Sequence, residues 1–482
     1  MTISATLDND VPARRSARLG GFVLELLLAW VALWKASARG LWGPDDAYFL
    51  ETSHLWLAGA PPYAHAFDVK PPGFYALLAG FEAVFGPSLM TLTLLSGACE
   101  AATGFCLWRI GVRLGAPVAG LFAAFVYPLL SHGLAANGGY PPLALATAAA
   151  YLAAFSPGRP WARAIPAGLA MGCAATIKQT AVFEALPLFW LLAGQRRAFA
   201  LAAAAPPLAF AVYFAGCGAF APFFTDVVAL AIRRPGMQPE SLAAIGVHIL
   251  HLAWPIWPLA ALAVFGAFCA RRILPRAPEG AATALALWGL AALVELLSQQ
   301  ARWLNYLGPT FAPQALLAGA EITALCRDLR PKHLAALGLL LVTAIGVWPF
   351  RAQRAFRPDD APAIAAAAAA IRARDPRPDD RLLALGPGGQ LNTRLDLAPP
   401  TPYFHWMHLV CDFPGAGPQR LREAFAAAPR FVTIPEESPQ VYCQDPTAWP
   451  VALAALARDY RRIAEIPEGQ GGTLQIYERR PR

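Results

Sequence analysis

Long apolar runs alternate with short polar segments along the first 350 residues. Each run is roughly as long as an α-helix that crosses a bilayer, about 15 to 25 residues. The pattern therefore predicts an α-helical polytopic membrane protein with about eleven transmembrane helices. We place them near residues 19–39, 88–110, 116–134, 139–155, 162–177, 179–193, 198–217, 246–270, 281–298, 303–325 and 333–349.

Basic residues between the runs predict the orientation of the helices. Arg14, Arg15 and Arg18 precede the first helix, so the positive-inside rule places the N-terminus in the cytoplasm. Alternation then places the loop 41–87 and the C-terminus outside. A re-entrant pair of helices around Lys178 would change this parity. The other basic positions expected inside are Arg109, Arg113, Arg159, Arg163, Arg196, Arg197, Arg271, Arg272, Arg276, Arg327, Arg330 and Lys332.

The pattern changes after Phe350, where polar residues become frequent. AIAAAAAAIRARDP predicts a helix that ends at Pro376, and RLLALG, RFVTI and GTLQIYERR predict short strands. We therefore expect residues 1–350 to form the membrane domain and residues 351–482 a small extracytoplasmic α/β domain. Neither part contains a GxGxxG or P-loop motif, so a nucleotide-binding unit is not expected.

Composition supports the membrane prediction. The 482-residue chain is 57% hydrophobic and 15% charged, with a mean hydropathy of +0.43; soluble domains carry about 25% charged residues. The net charge of +8 does not indicate a nucleic-acid partner, because no basic run is interleaved with aromatic residues. The polar N-terminus and the absence of a cleavage site after the first apolar run predict a retained helix, not a signal peptide.

The eight cysteines show no spacing typical of metal ligands. Cys411 and Cys443 lie in the C-terminal part, and the sequence leaves open whether they form a disulfide. The other six lie in or beside apolar helices, where cysteine is a small packing residue: Cys99, Cys106, Cys173, Cys217, Cys269 and Cys326.

The first outer loop carries charged residues beside the bilayer. In GPDDAYFLETSHLWLAGAPPYAHAFDVKPPGFY, the acids Asp45 and Asp46 open the segment, Asp68 comes later, and Lys70 precedes two prolines. We expect a helix that is too short to span the bilayer to follow the prolines and to lie at the interface. A carboxylate here can accept a proton from a hydroxyl, and a lysine can stabilise a leaving phosphate.

The same charges also have structural interpretations. Asp45 and Asp46 suit the cap of a helix beginning at Ala47, although capping accounts for only one of them. Lys70 could extend towards phospholipid headgroups. His405 and His408, in PYFHWMHL together with Trp406, could line the site or belong to the core of their own domain. The histidines close to the acids, His54 and His65, carry little weight.

The order of residues in DDAYFLETSHLWLAGAPPYAHAFDVKPPGFYALLAGFEAVFG resembles the first outer loop of polyprenyl-phosphate-dependent GT-C-type glycosyltransferases. The shared order is an acidic pair, an aromatic residue, Gly, Pro-Tyr, Asp, Lys-Pro-Pro and an aromatic pair. Weaker similarity follows at ANGGYPPLALATAAAYL, GLAMGCAATIKQTA and QQARWLNYLGPTFAPQALLAG. Within these enzymes, the loop resembles the glycosyltransferase family 39-like group, which includes the protein O-mannosyltransferases and the aminoarabinose transferase that acts on lipid A. The resemblance implies the GT-C fold.

The resemblance also implies roles for the loop residues. Asp45 matches the catalytic acid that acts as base on the acceptor, and Lys70 matches the lysine that contacts the donor phosphate. Asp46 stands where a glutamate is more usual, and would support the site or help to hold a divalent metal in members that use one. This departure leaves metal dependence open, and no other cofactor is implied.

Later segments add candidates for binding the donor. Lys178 matches a lysine at the outer end of a helix pair, and Arg302 and Tyr306 match an arginine–tyrosine segment near the donor headgroup. Lys178 could instead simply end a helix, and Arg302 could anchor one at the headgroups. An acid commonly follows the asparagine that Asn137 matches, but glycine follows it here. The further candidate contacts are Tyr63, Asp68 and Asn137.

The function implied is inverting transfer of a sugar from polyprenyl phosphate to an acceptor hydroxyl, on the periplasmic face of a bacterial inner membrane. The expected partners are the lipid donor, a glycan, lipid or protein acceptor, and the membrane, without nucleic acid. The sequence names neither the sugar nor the acceptor, and it leaves the oligomeric state open.

Two other functions remain open. A lipid transporter or flippase would show internal repeats and charges in mid-helix, and only Glu100, Glu184 and Glu295 suggest such charges. A non-catalytic envelope assembly protein is the other alternative, although the retained Asp45 and Lys70 argue against it.

Overall fold

The computed structural model describes residues 10–37, 44–134, 139–233, 246–247, 250, 257–299, 304–325, 361–385, 390–411, 415–436, 447–467 and 472–481. In the described part of the first 325 residues, the α-helices are α1 (Asp10–Ser37), α2 (Pro44–Leu57), α3 (Gly73–Phe85), α4 (Leu89–Arg113), α5 (Pro117–Leu134), α6 (Tyr140–Ala154), α7 (Pro160–Ile177), α8 (Val182–Leu191), α9 (Arg196–Gly216), α10 (Phe220–Phe224), α11 (Ala231–Arg233), α12 (Trp257–Ile273), α13 (Ala281–Ser298) and α14 (Gly308–Leu325).

Most of these helices lie where the apolar pattern predicts them. Within the described ranges, three helical stretches are long and apolar enough to cross a membrane: Met90–Arg113, Ala193–Gly216 and Ala281–Ser298. The total of eleven stays a prediction, and the helix expected at 333–349 lies outside the described residues. The helical segment from Phe220 to Arg233, which includes the π-helical turns Thr225–Leu230, was not predicted.

Small residues set the close packing of the bundle. A Cβ on Gly168 of α7 would lie 2.3 Å from the carbonyl oxygen of Phe199 in α9, and one on Gly172 would lie 2.4 Å from that of Ala203. Such close backbone approach is how helices associate in a membrane, where lipid tails are as apolar as leucine. The α7–α9 contact therefore depends on these two glycines.

Two contacts place predicted basic loops at the same end of the bundle. Gly115, just after α4, lies against the side chain of Arg276, which follows α12. Gly280 lies against Leu191 at the end of α8, and a short 3-10 turn joins this end to Arg196. Gly115 and Gly280 both have positive φ angles, of 72° and 74°, so these tight turns require glycine. These basic loops thus lie at one end of the bundle, and that this end faces the cytoplasm stays a prediction.

The C-terminal region contains a four-stranded sheet in the order β1-β2-β4-β3. Strands β1 and β2 are parallel, and the other two pairings are antiparallel, with Val432 opposite Tyr477 and Arg461 opposite Glu478. The elements are α15 (Ala361–Arg372), β1 (Leu382–Ala384), α16 (Gln390–Leu395), α17 (Gly417–Ala426), β2 (Phe431–Pro435), α18 (Ala448–Asp459), β3 (Tyr460–Pro467) and β4 (Thr473–Arg479).

Three of the strands and helix α15 match the sequence predictions. Strand β3, which has the sequence YRRIAEIP, was missed because it is an edge strand with several exposed polar side chains and no apolar run. Apolar side chains cover both faces of the sheet: Leu383, Leu421 and Val432 belong to one cluster, and Ile364 and Ile476 to the other. The expected boundary near residue 350 lies outside the described residues.

Candidate active site

The first outer loop folds back on helix α2. The α2 helix begins at Pro44, so Asp45 and Asp46 lie in its first turn, where the helix dipole favours negative charge. The hydroxyl of Tyr48, one turn further on, donates a hydrogen bond to the carbonyl of Phe67. This bond fixes the chain that carries Asp68 and Lys70 next to the acidic end of α2. A helix beginning at Ala47 and capped by these acids is therefore not what the structure shows.

Asp68 is the buried centre of the loop. Its carboxylate accepts hydrogen bonds from the Tyr75 hydroxyl and, over 3.1 Å, from the Lys70 backbone N–H. The Lys70 ammonium lies 3.5 Å from the same carboxylate, and Nε2 of His408 lies 3.9 Å from it. Burial alone would raise the pKa of Asp68, but Lys70, His408 and Tyr75 outweigh it and lower the pKa to about 2. Asp68 is thus the anchor that orients Lys70.

Asp45 is the partly accessible acid of the site. Its side chain is 33% exposed, and Oδ1 lies 3.6 Å from Nε2 of His405, whose side chain is 9% exposed. Burial favours the neutral carboxyl, but the charge of Lys70 and the proximity of His405 outweigh it, so the pKa of Asp45 is lowered. An acidic side chain that is both ionised and accessible can accept a proton from a bound hydroxyl.

Asp46 and Tyr63 are both buried, unlike Asp45. The Tyr63 hydroxyl donates a 2.8 Å hydrogen bond to the carbonyl of Lys70. Its ring packs against Phe214 and Phe223, with centroids 5.1 and 5.4 Å away. Tyr63 thus supports the turn that carries Lys70 and connects it to the end of α9.

Lys178 lies in an aromatic cage at the end of α7. Its ammonium donates a 2.8 Å hydrogen bond to the Tyr140 hydroxyl and lies 4.4 and 4.6 Å from the ring centroids of Tyr140 and Tyr306. Glu295 lies 3.7 Å away and is held by the Thr180 hydroxyl at 2.7 Å. The structure therefore brings Lys178 and Tyr306 together, whereas the sequence linked them only by resemblance.

Gln179 joins this cage to the outer loop. Its side-chain amide donates to the carbonyls of Val69 and Val227, at 2.7 and 2.9 Å. Lys178 therefore lies at the same end of the bundle as the first outer loop, and it is close enough to Lys70 for the two charges to interact. Gln179 and Tyr140 carried no sequence signal that separates them from ordinary helix-end residues, whereas Glu295 was noted only as a charge within an apolar run.

The C-terminal region forms one wall of the site. The backbone N–H of Phe67 donates to the carbonyl of Pro402 at 3.0 Å, and the Tyr48 ring lies 4.7 Å from that of Phe404. His405 and His408 both face the loop acids, whereas Trp406 packs against Trp449 in the core of its own domain. In PYFHWMHL, the two histidines thus line the site, whereas Trp406 belongs to the core of the C-terminal domain.

Further contacts join α2 to α16. Thr393 donates a 2.7 Å hydrogen bond to Glu51, and Nε2 of His54 lies 3.1 Å from Asp396. His65 is exposed. Two predicted site residues, Asn137 and Arg302, lie outside the described residues, as do Cys443 and the side chain of Cys411.

The three acids expected in mid-helix all contact other side chains of the protein. Glu100 lies 2.9 Å from the Lys35 ammonium, Glu295 contacts Lys178, and Glu184 accepts a hydrogen bond from the Trp288 indole. Each therefore has a partner inside the bundle.

Solved structures share this arrangement of helices. ArnT from Cupriavidus metallidurans bound to undecaprenyl phosphate matches with a TM-score of 0.60 at 15% sequence identity, over 95% of this chain and 98% of that one. Its apo form matches with a TM-score of 0.54 at 16% identity, over 96% and 98%. The chain has the GT-C fold.

A more distant GT-C protein supports the same assignment. The archaeal oligosaccharyltransferase AglB from Archaeoglobus fulgidus, in complex with an inhibitory peptide and a dolichol-phosphate, matches with a TM-score of 0.50 at 12% identity, over 87% of this chain and 69% of that one. No protein-family model and no curated protein matches the sequence. The fold that the outer-loop resemblance implied is thus confirmed by structure, at identities where a sequence search finds nothing.

Proposed function

We propose that this chain is a membrane glycosyltransferase that moves a sugar from a polyprenyl phosphate to an acceptor hydroxyl on the periplasmic face of the inner membrane. The observation that carries the proposal is the meeting of Asp45, Lys70 and Lys178 at one end of a GT-C bundle. The charge of Lys70 acts on the accessible carboxylate of Asp45 and also on Lys178, and such a row of an acid and two cations suits an acceptor hydroxyl and a lipid phosphate. The ArnT and AglB structures, which hold undecaprenyl phosphate and a dolichol-phosphate, support the class of donor.

In the proposed reaction, the acceptor oxygen attacks the anomeric carbon of the sugar while its proton passes to Asp45. The bond between the anomeric carbon and the phosphate oxygen breaks, and its electron pair leaves with the lipid phosphate. A carboxylate with a lowered pKa is too weak to deprotonate an alcohol beforehand. The proton therefore transfers as the new C–O bond forms and the oxygen becomes acidic. Attack from the side opposite the phosphate inverts the anomeric centre.

Lys70 and Lys178 act on the leaving group in this proposal. Negative charge grows on the phosphate as the bond breaks, and fixed ammonium groups stabilise it most where water is excluded. The Lys70 ammonium lies 3.5 Å from Asp68, and the rings of Tyr140 and Tyr306 lie against the Lys178 ammonium, so both cations are oriented before the reaction in this proposal.

The described part of the chain contains no group of side chains suited to bind a metal ion. No three His, Cys, Asp or Glu side chains there form a group that could hold a metal ion. Asp46 is buried beside Asp45 and supports the first turn of α2 in our proposal. No step is assigned to a metal.

The test is transfer by the purified protein in detergent, with a panel of radiolabelled polyprenyl-phosphate sugars and a membrane-glycan extract as acceptor. We expect Asp45→Asn to lower the rate by about 100-fold or more, because a positioned base contributes about 10²- to 10⁴-fold. Asp396→Asn is the matched control, since Asp396 also faces a histidine across the contact between α2 and the C-terminal region but is 89% exposed. Full transfer by Asp45→Asn would contradict the assignment.

The lipid transporter or flippase remains the alternative function. It predicts donor lipid binding that Lys70→Ala abolishes, with no transfer to any acceptor in the panel. Transfer from one donor, lost in Asp45→Asn, would exclude it as the principal activity.

A further inference from the structure

The segment 402–411 of the C-terminal domain places side chains next to Asp45, the base in the proposed reaction. The hydrogen bond from Phe67 to Pro402 and the ring contact of Tyr48 with Phe404 hold this segment against the outer loop. The His405 ring packs edge-on against Tyr48, with centroids 5.4 Å apart, and is almost completely buried. A buried polar ring beside a carboxylate is costly unless its nitrogens have partners.

Both ring nitrogens of His405 have defined neighbours. Nδ1 accepts a hydrogen bond from the backbone N–H of Met407 at 3.3 Å, and Nε2 faces Oδ1 of Asp45 at 3.6 Å. A neutral imidazole with Nδ1 as acceptor carries its proton on Nε2. The geometry thus directs an N–H group towards the Asp45 carboxylate.

The His405 ring is neutral at physiological pH. Burial and the neighbouring His408 lower the pKa of His405 to about 4, although Asp45 opposes this shift. A neutral N–H donor orients a carboxylate without cancelling its charge, so Asp45 stays available as a base. Because Nδ1 is already bonded to Met407, His405 is not arranged to take the proton onward.

We propose that His405 is a positioning residue for Asp45, so that the transferase centre is complete only when the C-terminal domain contacts the outer loop. His408 makes the parallel contact with Asp68, and its carbonyl accepts a 2.7 Å hydrogen bond from Arg420 of α17. One segment thus reaches both the base and the acid that anchors Lys70. This inference rests on the proposed function, in which Asp45 accepts the proton.

The test compares two amides of different reach in the full-length protein. In His405→Gln the side-chain amide can occupy the place of Nε2 and still direct an N–H group towards Asp45; in His405→Asn it reaches only the place of Nδ1. We expect His405→Asn to lower kcat by about 10- to 100-fold, as small displacements of catalytic groups do. We expect His405→Gln to stay within about threefold of the parent, with the KM for the donor unchanged in both.

His54→Asn is the matched control, because His54 contacts Asp396 across the same interface without facing Asp45. We expect it to keep the parent kcat. Melting temperatures in detergent are measured for all variants. If His405→Asn keeps the kcat of the parent protein, the positioning role is wrong. It is also wrong if His405→Asn and His405→Gln lose kcat equally and their melting temperatures fall equally.

The two proposals fail differently in this series. If His405→Asn is fully active while Asp45→Asn is inactive, the positioning role is wrong and the proposed function stands. If the parent protein transfers no sugar from any donor in the panel, both are wrong.

Discussion

Glu51 is a buried carboxyl group at the contact between α2 and the C-terminal domain. It is 2% exposed and accepts the hydrogen bond from Thr393. Burial raises its pKa from the usual 4.5 to about 8, although the bond from Thr393 works in the opposite direction. The folded protein therefore holds a proton on Glu51 that the unfolded chain releases at neutral pH.

The raised pKa of Glu51 predicts a stability that falls with pH. Its contribution is fully present below about pH 4.5 and is lost as the pH rises towards about 8, since only the folded state still binds the proton in that window. Glu51→Gln keeps an acceptor for Thr393 and removes the titration. We expect the melting temperature of the variant to exceed that of the parent by a few degrees at pH 8, with a smaller difference at pH 5.

Burial also raises the pKa values of Glu82 and Asp226 to about 7. Both residues are present in the parent and in Glu51→Gln, so the difference in melting temperature between these two proteins reports on Glu51. A difference between the two proteins that does not depend on pH would contradict this account.

Helix α3 approaches α7 closely at a glycine. A Cβ on Gly73, directly after Lys70-Pro-Pro, would lie 2.4 Å from the Thr176 hydroxyl and 2.6 Å from its carbonyl oxygen at the end of α7. The backbone of Thr176 cannot rotate away as a side chain could. This contact fixes the distance between the two lysine-bearing turns, which carry Lys70 and Lys178.

We expect Gly73→Ala to destabilise the protein by about 1 to 3 kcal/mol, as overpacking does. It should also raise the KM for the donor, because α3 and the Lys70 turn are displaced. Gly80→Ala, in the same helix, is the matched control: its Cβ would meet nothing within 4 Å, so a helix-favouring residue should leave stability equal or slightly higher. Thermal unfolding and donor titration of both variants check this, and equal behaviour of the two would contradict it.

Elements were more predictable than contacts between them. Helix α13 follows directly from an apolar run bounded by polar residues, and α3 from a proline pair followed by an apolar stretch. Strand β3 was missed because an edge strand does not need an apolar pattern. The helical segment after Phe220 was missed because its π-helical turns disrupt the usual spacing of apolar positions.

At the scale of the whole molecule, the outer loop and the C-terminal domain should face the same compartment. Cysteines introduced in the exposed positions Ala64 and Arg422 are expected to react in intact cells with a membrane-impermeant thiol reagent. A cysteine at Arg276, on the predicted cytoplasmic side, should react only after permeabilisation. The parent chain measures the background from native cysteines. Reaction at 64 without reaction at 422 would show that the domain lies elsewhere.

The sequence by itself determined most of the helices and strands and the first outer loop, because these depend on local apolar patterns and on turn residues close together in the chain. It also placed Asp45 and Lys70 in one loop, and so made their chemistry visible. Only the tertiary structure decided that His405 faces Asp45 and that Tyr140, Tyr306 and Glu295 surround Lys178. These partners are far apart in the chain, and only the packing of the bundle and of the C-terminal domain on the loop fixes their distances.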